Sequence, residues 1–301
     1  MADTEKSQEE KICERMDAIG RKILVMSGKG GVGKTTVTVN LANALLAMGK
    51  TVGVLDTDIH GPNIAKMFGC EGQILQGDET GEIQPVSPRE GLKLVSLSFA
   101  LSDPDQAVIF RGPMKISVIK QFLADVNWGT LDYLLIDSPP GTGDEQLTVC
   151  QSIPALAGCL IVTTPQKVAI LDARRSVSFA RDLDVEIIGV VENMSCLICP
   201  DCGHEIPVFG KDGGKNMCMD MNVPLIASIP MEIGLQQNED EGINWMNGES
   251  VSAKAFRDMA AYIDRTVLPK TSVDVGYVPQ GPECTPQSCA TCTQDCPSRK
   301  G

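Results

Sequence analysis

One glycine-rich stretch restricts the possible folds of this chain more than any other. It comprises Gly28, Lys29, Gly30, Gly31, Val32, Gly33, Lys34, Thr35 and Thr36, and it follows an apolar, strand-like run over residues 22–27. After it, apolar residues recur at the spacing of one helix face, at Val37, Leu41, Ala44, Leu45 and Met48. The spacing Gly-x-x-x-x-Gly-Lys-[Ser/Thr] between a strand and a helix predicts a phosphate-binding loop.

The residue types in this loop suit a nucleotide. Glycines let backbone N–H groups surround phosphate oxygens, and the following helix adds the positive end of its dipole. Lys34 is expected to neutralise the β- and γ-phosphates, and the hydroxyl of Thr35 to hold Mg²⁺. The loop therefore predicts a nucleotide and a magnesium ion as ligands.

Composition limits the classes of function that this chain can have. Its 301 residues include 26 basic and 39 acidic side chains, and the net charge of −13 disfavours nucleic acid as a partner. No apolar run reaches the ~18 residues that a membrane span needs, and the first residues do not resemble a signal peptide. We therefore expect a cytoplasmic protein with no membrane partner. Because the cytosol keeps thiols reduced, several of the twelve cysteines are expected to be metal ligands.

Apolar runs that end at acidic residues recur along the chain. Residues 51–56 and 131–137 both have the pattern of buried strands; Asp58 follows the first and Asp137 ends the second. Carboxylates at the ends of neighbouring parallel strands lie where open α/β sheets bind ligands, and Asp137 is expected to hold the water shell of Mg²⁺. Further alternation of strands and helices, to about residue 227, predicts an α/β fold with a mostly parallel sheet and helices on both faces.

The chain divides into three predicted regions. Residues 1–20 are polar and predict a mobile N-terminal arm with a short helix, and residues 21–270 form the nucleotide-binding domain. Residues 271–301 form a cysteine-rich tail, which is expected to be disordered unless something crosslinks it. Four cysteines could do so, either through a [4Fe-4S] cluster or through zinc: Cys284, Cys289, Cys292 and Cys296.

Lys29 is a second lysine in the loop, and with it the sequence resembles the deviant Walker A ATPases. This SIMIBI-type P-loop family includes MinD, ParA, the nitrogenase iron protein and the Mrp/ApbC/Nbp-type iron–sulfur carriers. The segment 137–144, Asp-Ser-Pro-Pro-Gly-Thr-Gly-Asp, resembles the Mrp/Nbp branch in particular. The resemblance implies an ATP-dependent homodimer in which Lys29 reaches the phosphates held by the partner subunit.

The same resemblance implies roles for three further residues. Asp58 would orient the attacking water, Gly141 would sense the γ-phosphate, and Asn193 would contact adenine. Asn193 is expected to lie just after a strand over residues 185–191.

A pair of cysteines follows Asn193 in a segment expected to connect two strands. Cys199 and Cys202 form a Cys-Pro-x-Cys motif, which supplies two thiolates, half the ligands of a tetrahedral zinc or of a [4Fe-4S] cluster. A homodimer with this motif on its two-fold axis would supply the other two. The motif resembles the cluster-bridging pair of Mrp/ApbC/Nbp-type proteins. Zinc remains an alternative, either across the dimer or with Cys196 and His204 of the same chain, and a redox pair is a further one.

Together these features predict an ATP-hydrolysing homodimer that binds a [4Fe-4S] cluster and transfers it to apoproteins. The tail departs from the family pattern, because Nbp-type relatives carry a ferredoxin-like motif at the N-terminal end. Two alternatives belong to other classes: a partitioning ATPase like MinD or ParA, and an ATP-driven electron donor like the nitrogenase iron protein.

Overall fold

The computed structural model describes residues 6–58, 63–79, 81–100 and 112–276. A mostly parallel sheet lies at its centre. Its strands are β1 (Ile19–Met26), β2 (Val52–Asp56), β5 (Leu92–Ser96), β6 (Leu131–Asp137), β7 (Gly158–Thr163), β8 (Ile187–Ile198), β9 (Glu205–Ile206) and β10 (Leu225–Met231), and a separate hairpin comprises β3 (Gln76–Gly77) and β4 (Ile83–Gln84). The helices are α1 (Gln8–Asp17), α2 (Lys34–Ala47), α3 (Ile64–Met67), α4 (Gly112–Asp125), α5 (Asp144–Ser152), α6 (Lys167–Asp182), α7 (Gly213–Met221), α8 (Leu235–Asp240) and α9 (Val251–Thr266).

The strand order of the sheet is β10-β8-β7-β1-β6-β2-β5, and every neighbouring pair along it is parallel. The short strand β9 pairs antiparallel with the end of β8. Since the strands are parallel, the carboxyl ends of β1, β2 and β6 meet at one edge of the sheet. This edge brings together the glycine-rich loop, Asp56 and Asp137.

Helices cover both faces of the sheet, as the sequence predicts. Along β1, Ile23 and Val25 belong to a buried cluster that includes residues of α2 and α9. Leu24 and Met26 belong to a second cluster, with residues of α1, α4 and α6. All six residues of β7 are buried, because a strand in the middle of such a sheet has no solvent-facing side. The expected fold class is therefore confirmed.

The sequence predicted a mobile N-terminal arm with a short helix over residues 1–20. The short helix is present as α1, and its apolar face is packed against the domain. Helix α1 begins with a capping box between Ser7 and Glu10. Its apolar residues Ile12 and Met16 are buried, and the helix packs on α4. Helix α1 is thus part of the folded domain, since its polar sequence still contains an apolar stripe at helical spacing.

The segment after α9 also packs against the domain. The ammonium of Lys22 is fully buried and donates to three carbonyls, those of Met16, Ile19 and Lys270, and burial lowers the pKa of Lys22 to about 8. The backbone N–H and the hydroxyl of Ser272 both donate to the carboxylate of Asp17 in α1. The tail predicted from residue 271 therefore starts with packed residues, and its four cysteines lie outside the described part of the chain.

Strand β8 is longer than the sequence predicted. It continues through Asn193 to Ile198, where it pairs with β9, so the segment expected as a connection is a strand arm. Met194 has a left-handed backbone (φ +54°), and the pairing with β10 is irregular on either side of Asn193. The sequence did not predict this part of β8, because an irregular and half-buried strand shows no regular alternation of apolar and polar residues. As far as the chain is described, no helix is long and apolar enough to cross a bilayer.

Candidate functional site

The glycine-rich loop joins β1 to α2 and depends on close backbone approach. Gly31 and Gly33 both have a φ of +79°, a conformation that favours glycine. A Cβ atom on Gly33 would lie 2.2 Å from the side-chain nitrogen of Asn193, and one on Gly28 would lie 2.2 Å from the carbonyl oxygen of Asp172 in α6. Only glycine fits at these two positions without displacing a neighbour.

Lys34, Thr35 and Asp137 meet at the start of α2. The ammonium of Lys34 lies 2.6 Å from Oδ2 of Asp137, and the hydroxyl of Thr35 donates to the same oxygen at 2.8 Å. The side chain of Asp137 is 1% exposed and that of Lys34 6%, so this ion pair is almost completely shielded from water. A third donor, Thr38, reaches Oδ1 at 2.6 Å. Sequence reasoning missed Thr38, because it lies beyond the motif.

A second buried carboxylate stands beside this pair. Asp56 ends β2 and is the register partner of Asp137 in β6. Burial, and then the neighbouring Asp137 carboxylate, raise the pKa of Asp56 well above its ordinary value. Ser96 donates to one of its oxygens and the backbone N–H of Asp58 to the other, both at 3.0 Å. Asp58 thus lies at the expected edge of the sheet. Asp56 is an additional member of the site, and its position at the end of a predicted strand was the feature of the sequence that could have identified it.

The turn after β6 lies against the glycine-rich loop. The N–H of Gly141 donates to the carbonyl of Ser27 at 2.8 Å, and its φ of +102° again favours glycine. Gly30 faces Pro140 across this contact. Lys29 is exposed, and no ion pair to it occurs within the described residues. The loop and the turn are therefore in direct contact, while Lys29 projects toward solvent.

A cavity of about 720 Å³ opens beside the loop, and its volume lies in the range of small-molecule and cofactor sites. Gly31, Gly33 and Thr36 line one side, and Asn193 and Met194 of β8 line another. Asn193 is buried, and its side-chain amide donates to the carbonyl of Val32 at 3.0 Å. The structure thus brings Asn193 against the loop itself.

Helix α8 adds a carboxylate to this cavity that sequence reasoning missed. Glu239 accepts from the hydroxyl of Thr36 at 3.2 Å and from the side-chain amide of Asn40 at 2.6 Å. Burial raises the pKa of Glu239, and these two donors oppose the rise. A single glutamate in a six-residue helix, about 200 positions from the loop, carries no signal in the sequence that could have linked it to the site.

The Cys-Pro-x-Cys motif forms the turn of the hairpin between β8 and β9. The N–H of Cys199 donates to the carbonyl of His204 at 3.0 Å, and the N–H of Gly203 to the carbonyl of Cys199 at 2.9 Å. Backbone N–H groups of Cys202 and Asp201, together with the Cys202 thiol, lower the pKa of Cys199. The turn therefore favours a thiolate at Cys199, the form that binds metals.

The hairpin does not complete a metal site by itself. In the part of the chain that the structure describes, no group of three His, Cys, Asp or Glu side chains is arranged to hold a metal ion. The side chains expected for a zinc site within one chain, those of Cys199, Cys202, Cys196 and His204, are therefore not gathered around one point among the described residues. Cys196 instead lines a separate cavity of about 270 Å³ beside Glu192, and burial raises the pKa of its thiol. The geometric reason is that the turn presents two thiols at its tip, whereas Cys196 lies back along β8.

Comparison with known proteins finds relatives named for iron–sulfur clusters and a similar structure that contains ADP. An iron-sulfur cluster carrier protein of Methanocaldococcus jannaschii is 47% identical over 256 residues, which are 85% of this chain and 88% of the relative. The cytosolic Fe-S cluster assembly factor NUBP1 homolog of Caenorhabditis elegans is 45% identical over 258 residues, covering 83% and 82%. The structure of a nucleotide-binding protein from Archaeoglobus fulgidus in complex with ADP has a TM-score of 0.68 and 38% identity, covering 78% of this chain and 91% of that one.

A family model decides between the branches that share this fold. The model describes ParA, the NUBPL iron-transfer P-loop NTPases, and it matches residues 18–264, from the start of β1 almost to the end of α9. With most of its length matched, the chain belongs to the ParA/NUBPL family of iron-transfer P-loop NTPases.

Proposed function

We propose that this protein is an ATP-binding and slowly hydrolysing homodimer that carries a [4Fe-4S] cluster and transfers it to apoproteins. The cluster is cargo rather than a resident cofactor. The observation that carries the proposal is a hairpin with two accessible thiols, Cys199 and Cys202, at the end of β8. The same strand contacts the nucleotide-binding loop through Asn193. The names of the relatives, an iron-sulfur cluster carrier and a cytosolic assembly factor, support the same activity and a cytoplasmic location.

The homodimer follows from the number of ligands. A [4Fe-4S] cluster binds four thiolates, and one hairpin offers two. Two copies related by a two-fold axis through the hairpins supply four equivalent ligands. Zinc across the same axis would satisfy the same count, so the metal content decides between them.

The residues at the carboxyl edge of the sheet would bind the nucleotide. Lys34 would leave Asp137 for the β- and γ-phosphates, Gly141 would follow the γ-phosphate, and Asn193 would contact the base. The oxygen donors of Thr35 and Asp137, 2.8 Å apart, fit a magnesium ion, which supplies positive charge to the phosphates when bound. Asp58 would orient the attacking water.

Lys29 would act in the neighbouring subunit. It is exposed at the loop, and a cation from a second copy stabilises the charge that develops on a transferred phosphoryl group. ATP would then close the dimer, because the two triphosphates lie between the subunits and each is contacted by the partner's lysine.

Strand β8 would transmit the movement of dimer closure from the nucleotide site to the cluster-binding hairpin. Asn193 holds the loop through the carbonyl of Val32, and Cys199 follows six residues later at the tip of the same strand arm. The left-handed residue Met194 lies between them, and it lines the nucleotide cavity. Movement of the loop on ATP binding would reach the hairpin without crossing another element. Such coupling needs two states that bind ATP with different affinities.

The test is chemical reconstitution under anaerobic conditions. We expect four iron and four sulfide per dimer bound at the hairpins, and a rate of cluster transfer to an apoprotein that differs between ATP and ADP. Iron and zinc are measured on full-length protein and on protein without residues 281–301, so that the tail does not contribute. Identical transfer rates in all nucleotide states would contradict the coupling, and a protein that stays monomeric with ATP and cluster would contradict the whole proposal.

The same samples test the two alternatives. A partitioning ATPase is expected to pellet with liposomes in the presence of ATP, whereas a cluster carrier is not. An electron donor would reduce a partner without losing iron. Since the family model describes iron transfer, loss of iron to the recipient is the expected result.

A further inference from the structure

The carboxylate of Asp137 has three donors that are not equivalent. Lys34 and Thr35 both donate to Oδ2, at 2.6 and 2.8 Å. Thr38 alone donates to Oδ1, at 2.6 Å. Asp137 and Thr38 are both buried, so the bond between them is shielded from water.

Thr38 lies one helical turn after Lys34 in α2, with two acceptors within reach. Its hydroxyl is 3.1 Å from the carbonyl oxygen of Lys34 and 2.6 Å from Oδ1 of Asp137. A hydroxyl has a single proton to donate, and the bond to the carboxylate is both shorter and charge-assisted. The proton of Thr38 therefore points at Asp137.

Nucleotide binding would separate the three donors. In the function proposed above, Lys34 would move to the phosphates and Thr35 would turn its hydroxyl oxygen to Mg²⁺. Both donors to Oδ2 would then be engaged by the ligand, and Oδ2 would be free to hold the metal. The bond from Thr38 to Oδ1 involves neither the phosphates nor the metal, so it is the one of the three that persists.

We propose that Thr38 is a positioning residue for the magnesium ion. It holds Oδ1 so that Oδ2 of Asp137 faces the metal and its water shell. The inference rests on the proposed nucleotide function and adds a residue outside the loop motif to it. Partners of this kind, which orient a metal ligand without touching the metal, typically change metal affinity by roughly 10–100-fold when they are removed.

The test uses full-length protein, with ADP as nucleotide and Mn²⁺ as a spectroscopic stand-in for Mg²⁺. Free Mn²⁺ is measured by electron paramagnetic resonance during titration of the ADP complex, and ADP affinity is measured separately in EDTA. The variants are Thr38→Val, which keeps the shape and removes the hydroxyl, and Thr38→Ser, which keeps the hydroxyl. Thr148→Val is the matched control, because Thr148 is a buried helix residue whose hydroxyl donates to the carbonyl of Asp144.

For Thr38→Val we expect Mn²⁺ affinity to fall roughly ten-fold or more, with ADP affinity in EDTA within about twofold of wild type. Thr38→Ser and Thr148→Val should both retain the wild-type affinity for Mn²⁺. Unchanged Mn²⁺ affinity in a folded Thr38→Val protein would overturn the inference. So would an equal loss of ADP affinity in EDTA, which would assign Thr38 to the loop rather than to the metal. A wild-type protein that binds no ADP in either condition would overturn the proposed function itself, and this inference with it.

Discussion

Replacing Lys34 by methionine is expected to destabilise the fold even without nucleotide. Lys34 is the buried ion-pair partner of Asp137, and methionine keeps most of its length and volume while removing the charge. The variant therefore leaves a carboxylate at 1% exposure without its cation. A change usually used to abolish nucleotide binding thus also tests the packing of the nucleotide-free site.

The magnitude follows from what remains around Asp137. Removing one partner of a buried ion pair typically costs about 3–5 kcal/mol, because the other charge stays desolvated. Thr35 and Thr38 still donate to the carboxylate, and hydrogen bonds to charged groups contribute about 1.5–3 kcal/mol each. We therefore expect the lower end of the range, a loss of about 3 kcal/mol from the free energy of unfolding.

The assay is urea unfolding of nucleotide-free protein, followed by circular dichroism. With a denaturant slope near 3 kcal/mol per molar, the midpoint should fall by about 1 M. The double variant Lys34→Met with Asp137→Asn should recover most of the loss, since it removes both charges. Lys254→Met is the control: its partner Asp258 lies at a similar distance, 2.5 Å, but both side chains are exposed, so the expected change is below about 0.5 kcal/mol. Equal midpoints for wild type and Lys34→Met would refute the reasoning.

Three further experiments with substituted proteins test other parts of the site. Lys29→Ala should keep ATP binding but lower ATP hydrolysis at least ~10²-fold and remove ATP-dependent dimerisation, measured by phosphate release and sedimentation; hydrolysis at the wild-type rate would exclude the action across subunits. Cys199→Ser with Cys202→Ser should abolish iron binding in protein without residues 281–301 and leave the urea midpoint unchanged, and iron that persists would reject the hairpin as the site. Gly33→Ala should cost at least about 1–2 kcal/mol of stability for its left-handed backbone. That cost should be smaller in an Asn193→Ala background, so equal costs in a double-mutant cycle would contradict the contact seen here.

Local pattern was sufficient to predict the centre of the fold. The pattern of a strand, a glycine-rich turn and a helix in direct succession predicted the order of the elements over residues 19–47. The position of Asp137 at a strand end was likewise visible, because parallel strands align their carboxyl ends. The sequence therefore predicted correctly the residues whose positions depend only on motif spacing and on the ends of parallel strands.

Contacts between distant segments could not be predicted in the same way. Glu239 reaches Thr36 only because α8 folds back over the start of α2, and Ser272 reaches Asp17 across the whole length of the chain. Neither contact has a periodicity or a spacing that a single sequence displays. The N-terminal helix shows the same limit. Its presence was predicted, but its packing was not, because only two apolar residues in a polar segment, Ile12 and Met16, are buried in the domain.

Two exposed features carry the part of the proposal that one chain cannot complete. The loop contains two lysines. Lys34 is paired with the buried Asp137, whereas Lys29 is exposed and has no ion-pair partner among the described residues. The hairpin presents Cys199 and Cys202 where no third ligand approaches within the described residues. In the proposed homodimer each feature is a half-site, which a second copy of the same surface would complete under one two-fold operation. A single interface would then account for both, and a change at that interface should affect hydrolysis and cluster binding together.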